Sequence, residues 1–304
     1  MNMKKNLKKI KTFLEILMFK IFPSKFVVSI FFMIKHKYKL NFSNPKTFNE
    51  IINVRKFNND YEELYPYTDK SLAKETAKRI DENIEVFPTL GVFNYLDESI
   101  LSKLPNEFVV KSTHNSQSID VVRDKMSLNK KEVKSIIKKQ NNALKHNLFD
   151  QTHEPQYKNI KPRVIVEELM LDENGNVPVD YKIMCIHGEP VFIECDLERF
   201  SNFHLVFMSP DWKLMPWRLG KHSFPVAEDE IPEKPNNLDE MLRHARKLSK
   251  GFDFVRIDLY SFNNKVYFGE FTFLHDCGFS KFSEYKYDLY YGNLINGVNG
   301  VKES

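Results

Sequence analysis

Residues 251–278, GFDFVRIDLYSFNNKVYFGEFTFLHDCG, set one arginine and two carboxylates on a single polar face of an otherwise apolar hairpin. Val255, Ile257 and Leu259 alternate with Arg256, Asp258 and Tyr260, and Gly269, Phe271 and Phe273 alternate with Phe268, Glu270 and Thr272. Each arm therefore gives one face to a core and the other to chemistry. Asn263 and Asn264 mark the turn, and its length decides the register. A three-residue loop centred on Asn264 puts Asp258 opposite Glu270, whereas a two-residue loop pairs Asp258 with Gly269. Only the first makes a joint site. Two carboxylates a few ångströms apart repel unless a cation lies between them, and hard oxygen ligands suit Mg²⁺ or Mn²⁺ better than Zn²⁺. The same three charges also fit an exposed cross-strand cluster worth about a few tenths of a kcal/mol per pair.

A chain of 304 residues with 42% hydrophobic and 13% aromatic content buries a large core, as two lobes or one large α/β domain with appendages. Its net charge of +4 is unevenly placed, because residues 1–40 hold ten lysines against Glu15 alone and the rest of the chain is net acidic. A nucleic-acid groove needs basic residues spread over a binding face, so no nucleic-acid partner is expected. Ile10, Phe13, Leu14, Leu17, Met18 and Ile21 follow helical spacing, with Lys5, Lys8, Lys9 and Glu15 elsewhere on the wheel. Pro23 ends this amphipathic helix, and the apolar run from Phe26 to Ile34 is too short to span a bilayer. Lys20 and Lys25 interrupt anything resembling a signal peptide, so the expected location is cytoplasmic. Residues 1–40 read as a basic helical extension that either lies on the anionic inner leaflet or docks on its own domain. Cys185, Cys195 and Cys277 have no metal-ligand spacing and agree with a reducing compartment, the first two as buried strand residues.

Thr47 with Glu50 forms a capping box opening a short helix, and Asn237 with Glu240 forms a second one, for a helix closed near Gly251. A helix is predicted from about Asp69 to Ile80 and another from about Lys130 to Lys145. The segment EVFPTLGVF reads as a strand entering a loop, Phe108 to Thr113 and Arg163 to Met170 are strands, and Asn174 with Gly175 is a turn. Asp180–Ile186 and Pro190–Cys195 form a hairpin across His187 and Gly188, and residues from Leu219 to Pro235 are loop-like. Strands dominate the second half with helices flanking, which predicts an α+β or mixed α/β fold rather than a Rossmann sheet.

Lys111 interrupts the apolar strand FVVKST and is followed by small polar residues, a setting that suits phosphate as well as it suits a lysine snorkelling beside an ordinary turn. In order, NPKTFNE (44–50), TDK (68–70), FVVKSTHNS (108–116), YKNIKPRVIVEEL (157–169), DYKIMCIHGEP (180–190), VRIDLY and FGEFTF resemble the TupA-like (teichuronopeptide biosynthesis-like) branch of the ATP-grasp superfamily. The resemblance covers about residues 35–295. It implies an ATP-grasp catalytic region over 41–300, two α+β lobes clasping ATP, with an interlobe hinge near 167–170.

The resemblance also implies roles. Lys70 and Lys111 look like the lysines that hold the nucleotide phosphates, with His114 and Ser116 in the loop that closes over them. Glu167, Glu168, Leu169 and Met170 resemble the hinge whose backbone reads adenine, and Asp180 resembles the acidic group that takes the ribose hydroxyls, with Lys182 on the same strand face. Asp258 and Glu270 are implied Mg²⁺ ligands, Thr272 stands where most ATP-grasp enzymes have asparagine, and Arg256 is similar to the arginine that steadies an acyl phosphate. Arg256, Lys111 and Lys182 are thus the implied catalytic residues. Gln117 replaces a usual glycine, and Asp276 and Cys277 depart from a glycine and a small residue; Asp276 is either loop structure or a contact favouring an amine acceptor. The expected activity is ATP-dependent ligation of a uronic-acid-type carboxylate of a surface polysaccharide or lipid-linked sugar to an amino acid or amine. A glycosyltransferase, which would lack an Asp-x-Asp pair here, and a catalytically silent ATP-binding scaffold are the alternatives.

Overall fold

The computed structural model describes residues 2–115, 118–172, 175–197, 203–227 and 230–298, with side chains from Thr12 onward. Ser116, Gln117 and Asn174 lie outside the described residues. Among the described residues ten strands run as β1 (Glu85–Val86), β2 (Thr89–Phe93), β3 (Phe108–Ser112), β4 (Ile119–Val122), β5 (Val164–Glu167), β6 (Asp180–Ile186), β7 (Glu189–Leu197), β8 (His204–Met208), β9 (Phe254–Phe262) and β10 (Lys265–Thr272). They form a six-stranded sheet in the order β1-β10-β9-β6-β7-β8 and a four-stranded sheet in the order β2-β5-β3-β4. This is the mixed α+β arrangement that the pattern of strands and helices predicts, in the two lobes that the resemblance implies.

The segment EVFPTLGVF is not one strand but two. Glu85–Val86 joins the large sheet beside β10, and after Phe87 and Pro88 the chain enters the small sheet beside β5. The small sheet buries Phe108, Val110, Val164 and Val166 with Leu96, Leu101 and Leu104, under Val133, Ile136 and Ile137 of the helix Lys130–Ala143. That leaves Lys111 and Glu167 on its opposite face.

Two faces of the large sheet are covered differently. The helix Leu238–Ser249 packs on one, its Ala245 carbonyl near Cys185 Sγ. On the other, Phe254 meets Phe48 of the helix Phe48–Arg55 at 5.0 Å, and Phe192 meets Tyr291 of the helix Tyr285–Ile295 at 4.9 Å. Beyond these rings the same face turns polar, and there the expected site residues stand.

The hairpin register needs a correction. Asp258 does face Glu270, but not through a longer loop: Phe262 pairs with Lys265 across two residues, Asn263 and Asn264, both at positive φ as a type I′ turn requires. A bulge at Gly269 supplies the extra residue that brings Glu270 opposite Asp258. It also flips side-chain parity, so Phe268 and Phe271 both enter the core with their rings 4.8 Å apart. The β6–β7 hairpin repeats the device. His187 and Gly188 make a two-residue turn at positive φ, and Val191 is the extra residue that places Glu194 opposite Lys182.

The capping box at Thr47 and Glu50 forms as predicted, and an unforeseen one joins Asn129 to Glu132. The box at Asn237 and Glu240 does not form. Asn237 makes no side-chain cap, because its amide oxygen accepts the Ser261 hydroxyl at 2.9 Å.

At the N-terminus, helices Asn2–Ile21 and Ser24–His36 are separated by Pro23. The second docks on the body through Val27, Val28 and Phe32, and its His36 Nε2 donates to the Gly278 carbonyl at 3.1 Å. The first stacks Phe19 on His153. Among the described residues no helix is long and apolar enough to cross a membrane.

Candidate active site

Because sheets alternate side chains between faces, the two bulges align one row across four strands: Glu270 on β10, Asp258 on β9, Lys182 on β6 and Glu194 on β7. Arg256 and Thr272 stand in the next row, and Asp180 and Asp196 on the other side. Asp258, Lys182 and Glu194 of this row are buried and Glu270 is partly exposed, and its members pair.

Arg256 is the central cation. Its Nε and Nη2 donate to the two oxygens of Asp258 at 2.7 Å each, and Nη2 also reaches Glu270 Oε1 at 3.1 Å. The arginine thus holds both carboxylates that the sequence assigned to a shared cation. Burial, reinforced by Glu270, pushes the Asp258 carboxyl well above its ordinary range against the pull of Arg256. Burial acts the same way on Glu270, but Lys70 and Arg256 outweigh it and hold that carboxyl down at about 2. Lys182 lies between Asp180 (3.6 Å), Glu194 (3.4 Å) and Asp196; burial disfavours its charge, and the carboxylates raise its pKa nonetheless.

The small sheet faces this row with lysines. Lys111 Nζ contacts Glu167 Oε2 at 2.5 Å, and Lys74, from the helix Leu72–Ile80, contacts the other oxygen of the same carboxylate. Glu167 is therefore more than hinge backbone: it is a buried anion held low against burial by two lysines. Lys70 bridges the lobes, its Nζ 3.5 Å from Glu270 Oε2 and its backbone N–H donating to the Thr113 carbonyl. Glu168, Leu169 and Met170 follow β5 as irregular, partly exposed chain, and Glu168 N donates to the Pro88 carbonyl at 3.0 Å.

His114 is placed otherwise than expected. It is buried, and its Nε2–H is shared between the Ala143 and His146 carbonyls at 3.1 Å each, which leaves no ring donor for a phosphate. Its role here is to pin the loop to the end of the helix Lys130–Ala143. Thr272 Oγ1 lies 3.4 Å from Glu270 Oε1.

Asp258, Glu270 and Thr272 fit a Mg²⁺ ion only as part of its shell. Among the described residues no group of three or more His, Cys, Asp or Glu is placed to hold a metal ion by itself, so such an ion would complete its shell with phosphate and water oxygens, the usual habit of Mg²⁺.

The departure at Asp276 and Cys277 has a defined shape. Both take positive φ, 45° and 55°, an arrangement that costs non-glycine residues energy and that Gly278 then continues. The Cys277 thiol donates to Glu154 at 3.0 Å, and burial pushes both groups upward. The Gly278 carbonyl accepts from Asn53 and His36.

Sequence reasoning missed Lys74, Glu194, Asp196 and His275. Alternation from Phe192 through Glu194 to Asp196 was the available signal for two of them, and it needed the bulge to be put on the correct face.

No curated protein sequence matches the chain. Among solved structures, D-alanine–D-alanine ligase from Bacillus anthracis in complex with ATP is 14% identical, over 76% of this chain and 63% of that one, at a TM-score of 0.41. The corresponding ligase from Helicobacter pylori is 16% identical over 76% and 60%, at 0.39. N5-carboxyaminoimidazole ribonucleotide synthetase in its ADP complex is 9% identical over 69% and 46%, at 0.40. The chain spans about six-tenths of the length of the two D-alanine–D-alanine ligases. A sequence profile described as TupA-like ATP-grasp matches residues 50–296, and the chain belongs to that family.

Proposed function

We propose that this chain is an ADP-forming ligase that joins a uronic-acid-type carboxylate of a surface polysaccharide or lipid-linked sugar to an amino acid or amine. The observation that carries the reading is the meeting of cations and carboxylates between the sheets, Lys111 on the small one, Arg256, Asp258 and Glu270 on the large one, and Lys70 joining the two. Lysines neutralise a triphosphate, and the carboxylates would hold Mg²⁺ (or Mn²⁺), which shields the transferring phosphoryl group when bound. A substrate carboxylate attacks the γ-phosphate of ATP to give an acyl phosphate and ADP; the amine then attacks the acyl carbon and expels phosphate. Arg256, fixed by Asp258, is oriented to stabilise negative charge at the acyl centre, and burial excludes water that would hydrolyse the activated acyl group. The hinge backbone at 167–170 and Asp180 suit the adenine and ribose.

The N-terminal helices support a place at the inner face of the cytoplasmic membrane. Phe13, Leu14, Ile21, Phe22, Phe26 and Ile34 are exposed, on a segment carrying ten lysines, and this pairing of apolar and cationic surface suits an anionic bilayer.

Incubation with ATP, Mg²⁺, uronic-acid glycans and mixed amino acids should release ADP and phosphate only when carboxylate and amine are both present. Glu270→Ala should abolish that release with an unchanged circular dichroism spectrum. Sugar transfer from a nucleotide sugar without ADP release, or nucleotide binding without turnover under every substrate combination, would replace this reading with a glycosyltransferase or a scaffold.

A further inference from the structure

The large sheet holds a second polar cluster, on the far side of Arg256 from Glu270. His275, 1% exposed, accepts a hydrogen bond at Nδ1 from Arg256 Nη1 at 3.3 Å. An arginine only donates, so the ring proton is on Nε2. That N–H has no hydrogen-bond partner among the described residues, and it lies 3.8 Å from Glu194 Oε2 and 3.8 Å from Asp276 Oδ2, out of bonding reach of each. A buried donor without an acceptor is costly, and one set between two carboxylates suits a ligand that carries both signs of charge.

Charge around it points the same way. Lys182, Arg256 and Lys70 stand among Asp180, Glu194, Asp196, Asp258, Glu270 and Asp276, so the carboxylates outnumber the cations. Arg256 is engaged by Asp258 and Glu270, and Lys182 by Asp180, Glu194 and Asp196. Asp276 accepts the Ser280 hydroxyl, and its side chain is 50% exposed, the solvent-facing member of a cluster in which Glu194 and His275 are buried. Burial, reinforced by Asp276 and Asp196, raises the Glu194 carboxyl to about 7 against the pull of Lys182 and Arg256.

We propose that Glu194, Asp276 and His275 form the binding site for the acceptor, and that the acceptor is an amino acid. Its ammonium lies between the two carboxylates, and its carboxylate takes the His275 Nε2–H. A simple amine satisfies the carboxylates and leaves the imidazole donor unpaired; the zwitterion satisfies both. The site rests on the ligase reading for what becomes of the bound amino acid, but not for its binding.

Calorimetry on the full chain tests it, titrating each of the protein amino acids beside its decarboxylated amine, with and without a non-hydrolysable ATP analogue and Mg²⁺. At least one amino acid should bind, with its amine about tenfold weaker or more. Glu194→Gln and Asp276→Asn should each weaken the amino acid about tenfold, while His275→Asn should reduce it to the level of the amine and leave the amine unchanged. Asp276→Asn changes a half-exposed side chain, and an unchanged melting temperature keeps its result interpretable. Absence of amino-acid binding in the unsubstituted chain, or equal binding in the Glu194 and Asp276 variants, overturns the assignment. Failure of the ATP analogue to bind strikes the ligase reading separately, because the titrations without nucleotide decide this site alone.

Discussion

Gly269 sits where a single missing carbon decides the alignment of the site. A Cβ there would lie 2.9 Å from the Tyr260 ring and 3.0 Å from the Asp258 carbonyl, so any side chain pushes on the residue that Glu270 must face. Gly269→Ala should cost about 1–3 kcal/mol in urea denaturation, the range for overpacking. ADP release should fall further than that loss of stability explains, and turnover at the unsubstituted rate would separate the bulge from activity. Lys74 makes a different point. Lys74→Met leaves the buried Glu167 carboxylate to Lys111 alone and should destabilise the chain by about 3–5 kcal/mol, whereas pairing it with Glu167→Leu should recover part of the loss in a double-mutant cycle followed by chemical denaturation. The Asp258–Glu270 pairing was open to reading because alternation along both arms is local. Gly269 was in view but its bulge was not, since a bulge answers to contacts across the sheet. Lys74 gave no signal at all: on a helix, a lysine aimed at a buried carboxylate is written in the same way as one aimed at water.

Helix starts divide along the same line. Thr47 and Asn237 each precede a glutamate by three residues, yet only Thr47 caps, because Ser261 on β9 competes for the Asn237 oxygen. The helix Ser24–His36 shows what a long-range contact adds to an element. Its His36 is lowered from 6.5 to about 4, chiefly by burial, with Lys35 and Lys281 helping and the Gly278 hydrogen bond and Glu50 opposing. An unfolded His36 takes up its proton first as pH falls, so the stability that the neutral ring contributes is intact above about 6.5 and is lost as pH drops toward about 4. Relative to His36→Gln, the unsubstituted chain should lose about 2–3 kcal/mol between pH 7 and pH 4, since a tenfold change in proton affinity is worth about 1.4 kcal/mol. Urea unfolding at both pH values measures this, and a pH-independent difference would assign the acid response to other groups. Strand β8 escaped the sequence reading for want of context, since HLVFM is a short apolar run whose partner β7 is itself displaced by the extra residue at Val191.

For the whole molecule, the two lobes were legible as an order of blocks, and what that order could not give was how the lobes meet. Lys70 opposite Glu270 is a contact between residues 200 positions apart in sequence. The N-terminal helices, for which docking and membrane contact stood as alternatives, combine the first with a surface suited to the second. Their second helix is seated on the body while Phe13 and Ile21 of the first remain 64% and 62% exposed. Deleting residues 2–21 should therefore leave the melting temperature within a few degrees and reduce co-sedimentation with phosphatidylserine vesicles, an effect that weakens with added salt even in the full chain. Equal sedimentation of both forms would remove the membrane role.

The junction between the sheets sets how they move. Two stretches of chain pass between β1 and β10 on one side and β2 and β5 on the other, at Phe87–Pro88 and after Glu167, and Glu168 N is bonded to the Pro88 carbonyl where they run together. Lys74 grips the same spot through the Phe87 carbonyl at 2.6 Å. Two threads knotted side by side act as a pin: swinging one sheet about them keeps the knot, and sliding it breaks the knot. Lys111 stands beside that pin, bonded to Glu167 one residue before Glu168, so a swing of the small sheet moves it little.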